Sequence, residues 1–451
     1  MTDFDLMVIG AGPGGYTAAL KAAQLGLRTA VIENSEVGGT CLNRGCIPTK
    51  TLLHAAELLH ELKNGDEFGI SAEHVTCDID KLYQRKNEVV SQLRGGIEFL
   101  FQSKKVELIR GTAKILGAGV VLVDHKEYSC SHMLIATGSV PSIPPIPGAN
   151  LPGVVTSDHF LAAEGARFQK LVILGGGVIG MEFATICNFL GSNVTVIEAE
   201  SRILPNFDRE ISQNLSMILK KRGVEILTGA LAEKIEDTGG LTMHYTQGGK
   251  SLHVGADCIL IATGRRANTA GLLSEGVDLQ TERGQIPVNS SFESCIKGIY
   301  AIGDVIRGGV QLAHAASAQG INAVHAMCGK TPPVNLHLIP SCVYTTPEIA
   351  CVGLSEEQAK KSGLNVKTGK HLMSANGKSV LTGADRGFVK LVIDGDTDRI
   401  IGAQLMCSRA TDMIAELSLA IANGLTREQL ASVIHPHPTF SEGIFEAAEH
   451  V

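Results

Sequence analysis

One pattern occurs twice in this chain, and it constrains the fold more than anything else in it. Residues 5–33 run through an apolar strand (Asp5-Leu6-Met7-Val8-Ile9), a glycine-rich turn (Gly10-Ala11-Gly12-Pro13-Gly14-Gly15), a helix to Leu25, and a second strand, Arg28-Thr29-Ala30-Val31-Ile32-Glu33, that ends in an acid. Residues 170–198 repeat it: Leu171-Val172-Ile173-Leu174, then Gly175-Gly176-Gly177-Val178-Ile179-Gly180, a helix to Leu190, and Asn193-Val194-Thr195-Val196-Ile197-Glu198. Each copy has the strand before, the helix after and the closing acid that make this glycine motif a dinucleotide-binding signature. The first glycine, Gly10 or Gly175, makes the tight turn. The second, Gly12 or Gly177, lets the backbone approach a pyrophosphate, and the third, Gly15 or Gly180, packs helix on strand. The helix N-terminus then presents unpaired N–H groups and partial positive charge to the phosphates. Glu33 and Glu198 are placed to accept hydrogen bonds from a ribose 2′-OH. A carboxylate at 198 repels a 2′-phosphate, so the second site should prefer NAD to NADP; Arg202, four residues on, is the residue that could blunt this.

Shorter motifs mark the boundaries. Ile135-Ala136-Thr137-Gly138 and Ile261-Ala262-Thr263-Gly264 close the two units, and Gly264, which ends the second, is expected among the cofactor-binding residues. The proline-rich stretch from Pro141 to Gly148 reads as a linker. We expect units at 1–142, 143–268 and 269–339, the third containing Ile299-Tyr300-Ala301-Ile302-Gly303-Asp304, and a last unit at 340–451 with no nucleotide motif. The apolar run Leu171 to Leu190 approaches the length of a membrane span, but its glycines and Glu182 favour strand–turn–helix. Acids outnumber bases 46 to 39 and there is no Trp, which argues against nucleic-acid binding. No basic-then-apolar leader precedes Phe4, so no signal peptide is expected. Eleven scattered cysteines suit a reduced, cytoplasmic setting better than a secreted disulfide scaffold. Cys77, Cys130, Cys187, Cys258, Cys295, Cys328, Cys342, Cys351 and Cys407 read as small buried hydrophobes.

The other two cysteines read differently. They lie in Gly38-Gly39-Thr40-Cys41-Leu42-Asn43-Arg44-Gly45-Cys46-Ile47-Pro48-Thr49-Lys50. In a regular helix, positions five apart put the Cα atoms roughly 8–9 Å apart, whereas a disulfide tolerates about 7 Å. Closing this pair demands a distorted turn, with which Gly45 and Pro48 are consistent. A strained disulfide is more readily reduced, as a cycling bond must be. Lys50, one helical turn after Cys46, would stabilise its thiolate. Near the other end lies His435-Pro436-His437-Pro438-Thr439-Phe440-Ser441-Glu442. His437 titrates in the range a thiol-deprotonating base needs, and Glu442 could hold its far ring nitrogen. A zinc site of Cys41, Cys46, His435 and His437 is the alternative reading.

Together these residues resemble the pyridine nucleotide–disulfide oxidoreductase family over the whole chain, and within it the members that reoxidise dihydrolipoamide. The resemblance implies an α/β fold of two Rossmann-like dinucleotide-binding domains, FAD in the first and NAD in the second, a central domain completing the FAD site, and a C-terminal α+β dimerisation domain. It implies that Cys46 faces the flavin and Cys41 exchanges with substrate. Lys50 would pair with Glu182 near the flavin; Ala113 and Gly138 would line FAD; Asp304 and Ala313 would hold the ribityl chain and flavin ring. His437 would serve the cysteines of the other subunit of a homodimer. The partner would be a lipoyl domain or lipoyl-carrier protein of a 2-oxo-acid dehydrogenase or glycine cleavage complex. Departures from the family pattern are small: Thr49 for the commoner Ser, Gln319 for Glu, Ala267 for Pro. Related members that reduce glutathione disulfide or mercuric ion are the competing readings; the former usually carry basic residues where Glu198 stands.

Overall fold

Strands covered on both faces must be apolar at every position. Leu6–Ile9, Ala30–Ile32, Leu171–Leu174 and Cys258–Ile261 all are, and all are buried. In the computed structural model, which describes residues 2–162, 168–384 and 386–451, these runs form the parallel centres of two sheets, the first of which continues into antiparallel strands at Val120–Val123 and Ala113–Gly117.

The first unit contains β1 (Phe4–Ile9), α1 (Pro13–Gln24), β2 (Thr29–Glu33), α2 (Gly39–Arg44), α3 (Cys46–Lys63), α4 (Ile79–Ser103), β3 (Glu107–Arg110), β4 (Ala113–Gly117), β5 (Val120–Val123) and β6 (Lys126–Ile135). Its sheet order is β3-β2-β1-β6-β5-β4. A two-stranded ribbon of β7 (Ser139–Pro141) with a later strand leads into the second unit: β8 (Val154–Thr156), α5 (Ser157–Ala162), β9 (Lys170–Leu174), α6 (Val178–Phe189), β10 (Asn193–Glu198), α7 (Arg209–Lys221) and β11 (Glu225–Thr228). The antiparallel strands β12 (Ala230–Asp237), β13 (Leu241–Gln247) and β14 (Lys250–Ala256) follow, then β15 (Cys258–Ile261), which completes the parallel sheet β11-β10-β9-β15-β8. β16 (Arg265–Ala267) is the partner of β7.

β17 (Ile299–Ala301) pairs with β6, and α8 (Ala313–Met327) lies on α1. Leu272, Ile286, Ile299 and Val324 therefore share one apolar core with Leu6, Val31 and Ile135. The C-terminal part holds β18 (Ser341–Val343), β19 (Glu348–Gly353), α9 (Glu356–Lys361), β20 (Val366–Leu372), α10 (Gly377–Leu381), β21 (Phe388–Asp394), β22 (Ile400–Cys407), α11 (Ala410–Ala422), α12 (Arg427–Ala431) and α13 (Glu442–Glu449). Its sheet is antiparallel, in the order β18-β19-β22-β21-β20, and is covered by α11 and α13.

One expectation changes here. Cys130, Cys187, Cys258 and Cys407 are buried, but Cys295 is exposed and Cys77, Cys328, Cys342 and Cys351 are only partly covered. Residue type alone does not fix depth where a cysteine falls in a loop or on an edge strand. The apolar run from Leu171 to Leu190 divides between β9 and α6, and no described helix is long and apolar enough to cross a membrane.

Candidate active site

The two glycine turns are built alike. Gly10 has φ +102° and Gly175 φ +113°, conformations that favour glycine. Each donates its N–H to the strand ending in the acid, Gly10 to Ile32 and Gly175 to Ile197, both at 2.8 Å. A Cβ on Gly15 would lie 1.9 Å from the Gly10 carbonyl, and one on Gly180 2.0 Å from that of Gly175. The middle glycines face open space: nothing lies within 4 Å of a Cβ on Gly177, and only Gly39 Cα, at 3.9 Å, near one on Gly12. No side chain caps α1 or α6. Both turns thus offer free helix N–H groups over a gap that a phosphate can enter.

The acids do more than the sequence reading assigned them. Glu33 accepts from Ala11 N and Ser35 N, each at 2.8 Å. Glu198 accepts from Gly176 N at 2.5 Å and Glu200 N at 2.7 Å. Each carboxylate locks its own turn and keeps lone pairs for a ribose. Arg202 donates to the carbonyls of Pro205 and Phe207, which occupies the cation that could have offset Glu198.

The cysteine segment is laid on the first turn. Gly38 N donates to Ala11 O at 2.8 Å, and a Cβ on Gly39 would come within 2.6 Å of Gly12 Cα. Helix α2 ends at Arg44; Gly45, at φ −145° and ψ −111°, breaks the path, and α3 starts at Cys46. A side chain on Gly45 would press on Thr40 O at 3.0 Å and Cys41 Cα at 3.2 Å. The break therefore folds Cys46 back on Cys41, and the two thiols share a hydrogen bond. Pro48 falls in the first turn of α3, where no N–H partner is lost.

Helix α3 packs on α6 through Leu52, Leu53 and Ala56 against Met181 and Phe183. That contact carries Lys50 to Glu182, with Nζ 2.7 Å from Oε2. Glu182 is 4% exposed; its other oxygen accepts from Tyr344 N at 3.1 Å, and the Lys50 ammonium sits 4.4 Å from the Tyr344 ring centre. Electrostatically the thiols divide. The hydrogen bond from Cys41, joined by Lys50, outweighs burial and lowers Cys46 to about 7, while the same bond and burial push Cys41 up. These opposite shifts favour Cys46 over Cys41 as the first of the two thiols to ionise. Tyr16 also borders the pair: burial first, then Cys41 and Cys46, raises its hydroxyl.

Strands β6 and β17 end side by side, bringing Gly138 and Asp304 together. Ser139 Oγ donates to Asp304 Oδ2 at 2.5 Å and receives Arg265 Nε at 2.8 Å. Gln319 Oε1 accepts from Gly303 N at 2.7 Å, a bond that the commoner Glu would also make. Ala313 is the first residue of α8, whose N-terminus has no side-chain cap. Ala113 is buried at the start of β4, beyond Gly111, whose N–H donates to Glu33 O at 3.1 Å. Gly264 has φ +113° and open space beside it. Sequence reasoning gave no role to Tyr16, Ser139, Arg265 or Tyr344, although Ser139 and Arg265 each directly follow one of the two Ala-Thr-Gly motifs.

His437 is separate. Its side chain is 78% exposed, and Nδ1 lies 2.7 Å from Glu442 Oε1. Glu442 Oε2 accepts from Thr439 N at 2.8 Å; that bond first, and His437 after it, hold the carboxyl below the usual range. An ionised carboxylate can only accept, so Nδ1 carries the proton and the neutral ring keeps its lone pair on Nε2. Among the described residues no hydrogen bond or ion pair joins His437 or Glu442 to the cysteines. His435 is committed elsewhere, with Nε2 2.9 Å from Glu416 and Nδ1 3.0 Å from Val433 O. The alternative zinc reading is not supported: no metal-like group of described residues contains Cys41, Cys46, His435 or His437.

Known proteins agree with this geometry. Residues 4–320 match the family described as pyridine nucleotide-disulphide oxidoreductase, and residues 339–448 its dimerisation domain. A dihydrolipoyl dehydrogenase of Bacillus subtilis is 42% identical over 99% of this chain and 98% of its own length. One of Thermus scotoductus is 43% identical over 100% and 97%. Among solved structures, a Cu(II) complex of the HOCl-induced flavoprotein disulfide reductase RclA from Escherichia coli superposes with TM-score 0.89 at 32% identity, covering 100% of this chain and 99% of that one. With both family domains matched along nearly its whole length, the chain belongs to the pyridine nucleotide-disulphide oxidoreductase family.

Proposed function

We propose that this protein is a homodimeric, cytoplasmic dihydrolipoamide dehydrogenase, passing electrons from a lipoyl group through the Cys41–Cys46 couple and FAD to NAD. The observation that carries the reading is the cysteine pair folded across Gly45 directly onto the first glycine turn, with Lys50–Glu182 beside it. Relatives about 40% identical over nearly the full chain bear that enzyme's name. The first unit suits a flavin dinucleotide: Gly12 is open, α1 and α8 are uncapped, and Asp304 is held at the strand ends. Bound there, a flavin would supply two-electron transfer between the dithiol and a nicotinamide.

The chain's own residues define the thiol chemistry. Gly45 keeps Cys41 and Cys46 close enough to exchange a bond. In the oxidised pair, a dihydrolipoamide thiolate attacks Cys41 Sγ, forming a mixed disulfide and releasing Cys46, which Lys50 favours as the leaving thiolate. The second lipoyl thiol then displaces Cys41, giving lipoamide and the reduced pair. A base must take the thiol protons. His437 of the partner subunit, with Nε2 free and Nδ1 held by Glu442, has the right form. Its exposure within one chain, and the dimerisation domain that carries it, support a site completed across the twofold. The NAD preference rests on Glu198, and the partner is the lipoyl domain or lipoyl-carrier protein of a 2-oxo-acid dehydrogenase or glycine cleavage complex.

Glutathione and mercuric reductases are the neighbouring alternatives, and one preparation tests all three. Lipoamide, glutathione disulfide and mercuric ion are compared as acceptors with NADH and with NADPH. The reading requires lipoamide with NADH to lead; a preference for glutathione disulfide or for NADPH overturns it.

A further inference from the structure

A second group of side chains lies where the C-terminal helix α13 meets the edge strand of the antiparallel sheet. His371, on the edge strand β20, is 8% exposed, and its Nε2 has no hydrogen-bond partner. A buried imidazole nitrogen left unpaired is a cost the fold bears unless a ligand removes it. Gly369, two residues earlier, lies on the same face of the strand. A Cβ there would come within 2.0 Å of Ala447 O, so the α13 backbone rests directly on β20. That approach brings Glu446 and His450 beside His371. The rings of His371 and His450 stack with centroids 6.2 Å apart and an interplanar angle of 18°. One donor atom from each of the three residues lies within 4.8 Å of the other two.

The chemistry of the group is specific. His450 Nδ1 donates to Glu446 O at 2.7 Å. This fixes the tautomer and leaves Nε2 as a lone-pair donor, the arrangement that metal-bound histidines usually show. Two imidazoles and a carboxylate suit a borderline divalent ion such as zinc, whereas magnesium and calcium want oxygen ligands throughout. Zinc bound tetrahedrally by N and O at about 2.1 Å holds its ligand atoms roughly 3.4 Å apart. The group must therefore close slightly on binding. The side chains of Glu446 and His450, 41% and 60% exposed, are free to do so.

We propose that His371, Glu446 and His450 form a zinc-class divalent metal site that clasps α13 to β20, with a fourth position left to water. The clasp holds the far end of the helix whose first residue, Glu442, orients His437.

Zinc titration of the full-length protein after chelator treatment tests the proposal, followed by calorimetry and by amide exchange of residues 442–449. Wild type should bind one more zinc per chain than His371→Ala, or bind that zinc more than about tenfold tighter. Zinc should slow exchange of the α13 amides in wild type and not in the variant. His450→Ala removes an exposed ligand and serves as the second variant should loss of the buried His371 harm folding. Zinc taken up by the cysteines appears equally in all three proteins and cancels. Equal stoichiometry and affinity in wild type and His450→Ala, or α13 exchange unaffected by zinc in wild type, overturns the site.

Discussion

Two glycines three residues apart in the second turn should respond to the same substitution in opposite ways. A Cβ at Gly180 falls 2.0 Å from the Gly175 carbonyl, a full 1.0 Å inside the 3.0 Å that real Cβ contacts essentially never breach. The obstacle is backbone on both sides, so either α6 or β9 must move. Overpacking of this kind costs about 1–3 kcal/mol. Gly177→Ala meets nothing within 4 Å, and Gly177 sits at φ −76° and ψ −171°, which alanine adopts freely. Its folding cost is limited to about 1 kcal/mol for alanine at a helix N-cap. The new methyl stands where the pyrophosphate must approach, so NAD should weaken by about tenfold, or about 1.4 kcal/mol. Thermal unfolding and NAD titration of each variant separate the two effects. Gly180→Ala should lose melting temperature, while Gly177→Ala should lose NAD affinity with nearly wild-type melting. A Gly177→Ala protein that binds NAD normally refutes the assignment of this turn to the pyrophosphate.

Lys50→Met removes a cation that lowers Cys46, so the pH midpoint for alkylation of the reduced pair should rise above about 7; an unchanged midpoint would place Lys50 outside the thiolate's environment. Glu198→Arg should reduce NAD affinity without conferring efficient use of NADP, because the carboxylate also ties Gly176 and Glu200; steady-state rates with both cofactors decide, and a clean switch to NADP would show those bonds to be dispensable. Cys46→Ser and His437→Ala chains, each inactive alone, should recover activity when co-refolded. Random pairing gives about half heterodimers, each with one intact site of two, so roughly a quarter of wild-type activity returns. Heterodimers without activity would mean that each site is built within one chain.

The parts legible in the sequence are those where local chemistry and tertiary role coincide. Gly10, Gly15, Gly175 and Gly180 announce themselves because no other residue fits those turns, and Gly45 because a helix cannot close the cysteine pair without a break. Other features depend on contacts between distant segments. Nothing near Tyr344 signals that its N–H and ring will meet Glu182 and Lys50, nor does Arg265 signal that it reaches Asp304 through Ser139. The acids Glu33 and Glu198 were found by position, but their bonds to Ala11 N and Gly176 N follow from the curl of the turn, which spacing does not describe. The depth of Cys295 was misread because burial depends on what packs over a loop.

In the proposed reaction, electrons from dihydrolipoamide reach NAD only through the Cys41–Cys46 couple. Its most direct test is the rate of NADH formation from dihydrolipoamide and NAD by the flavin-loaded wild type and by Cys46→Ser, with flavin content and dimerisation checked in both. Cys46→Ser should lose activity on the order of 10³-fold or more, the scale seen when a reacting nucleophile is removed. A Cys46→Ser enzyme that forms NADH at the wild-type rate would contradict it.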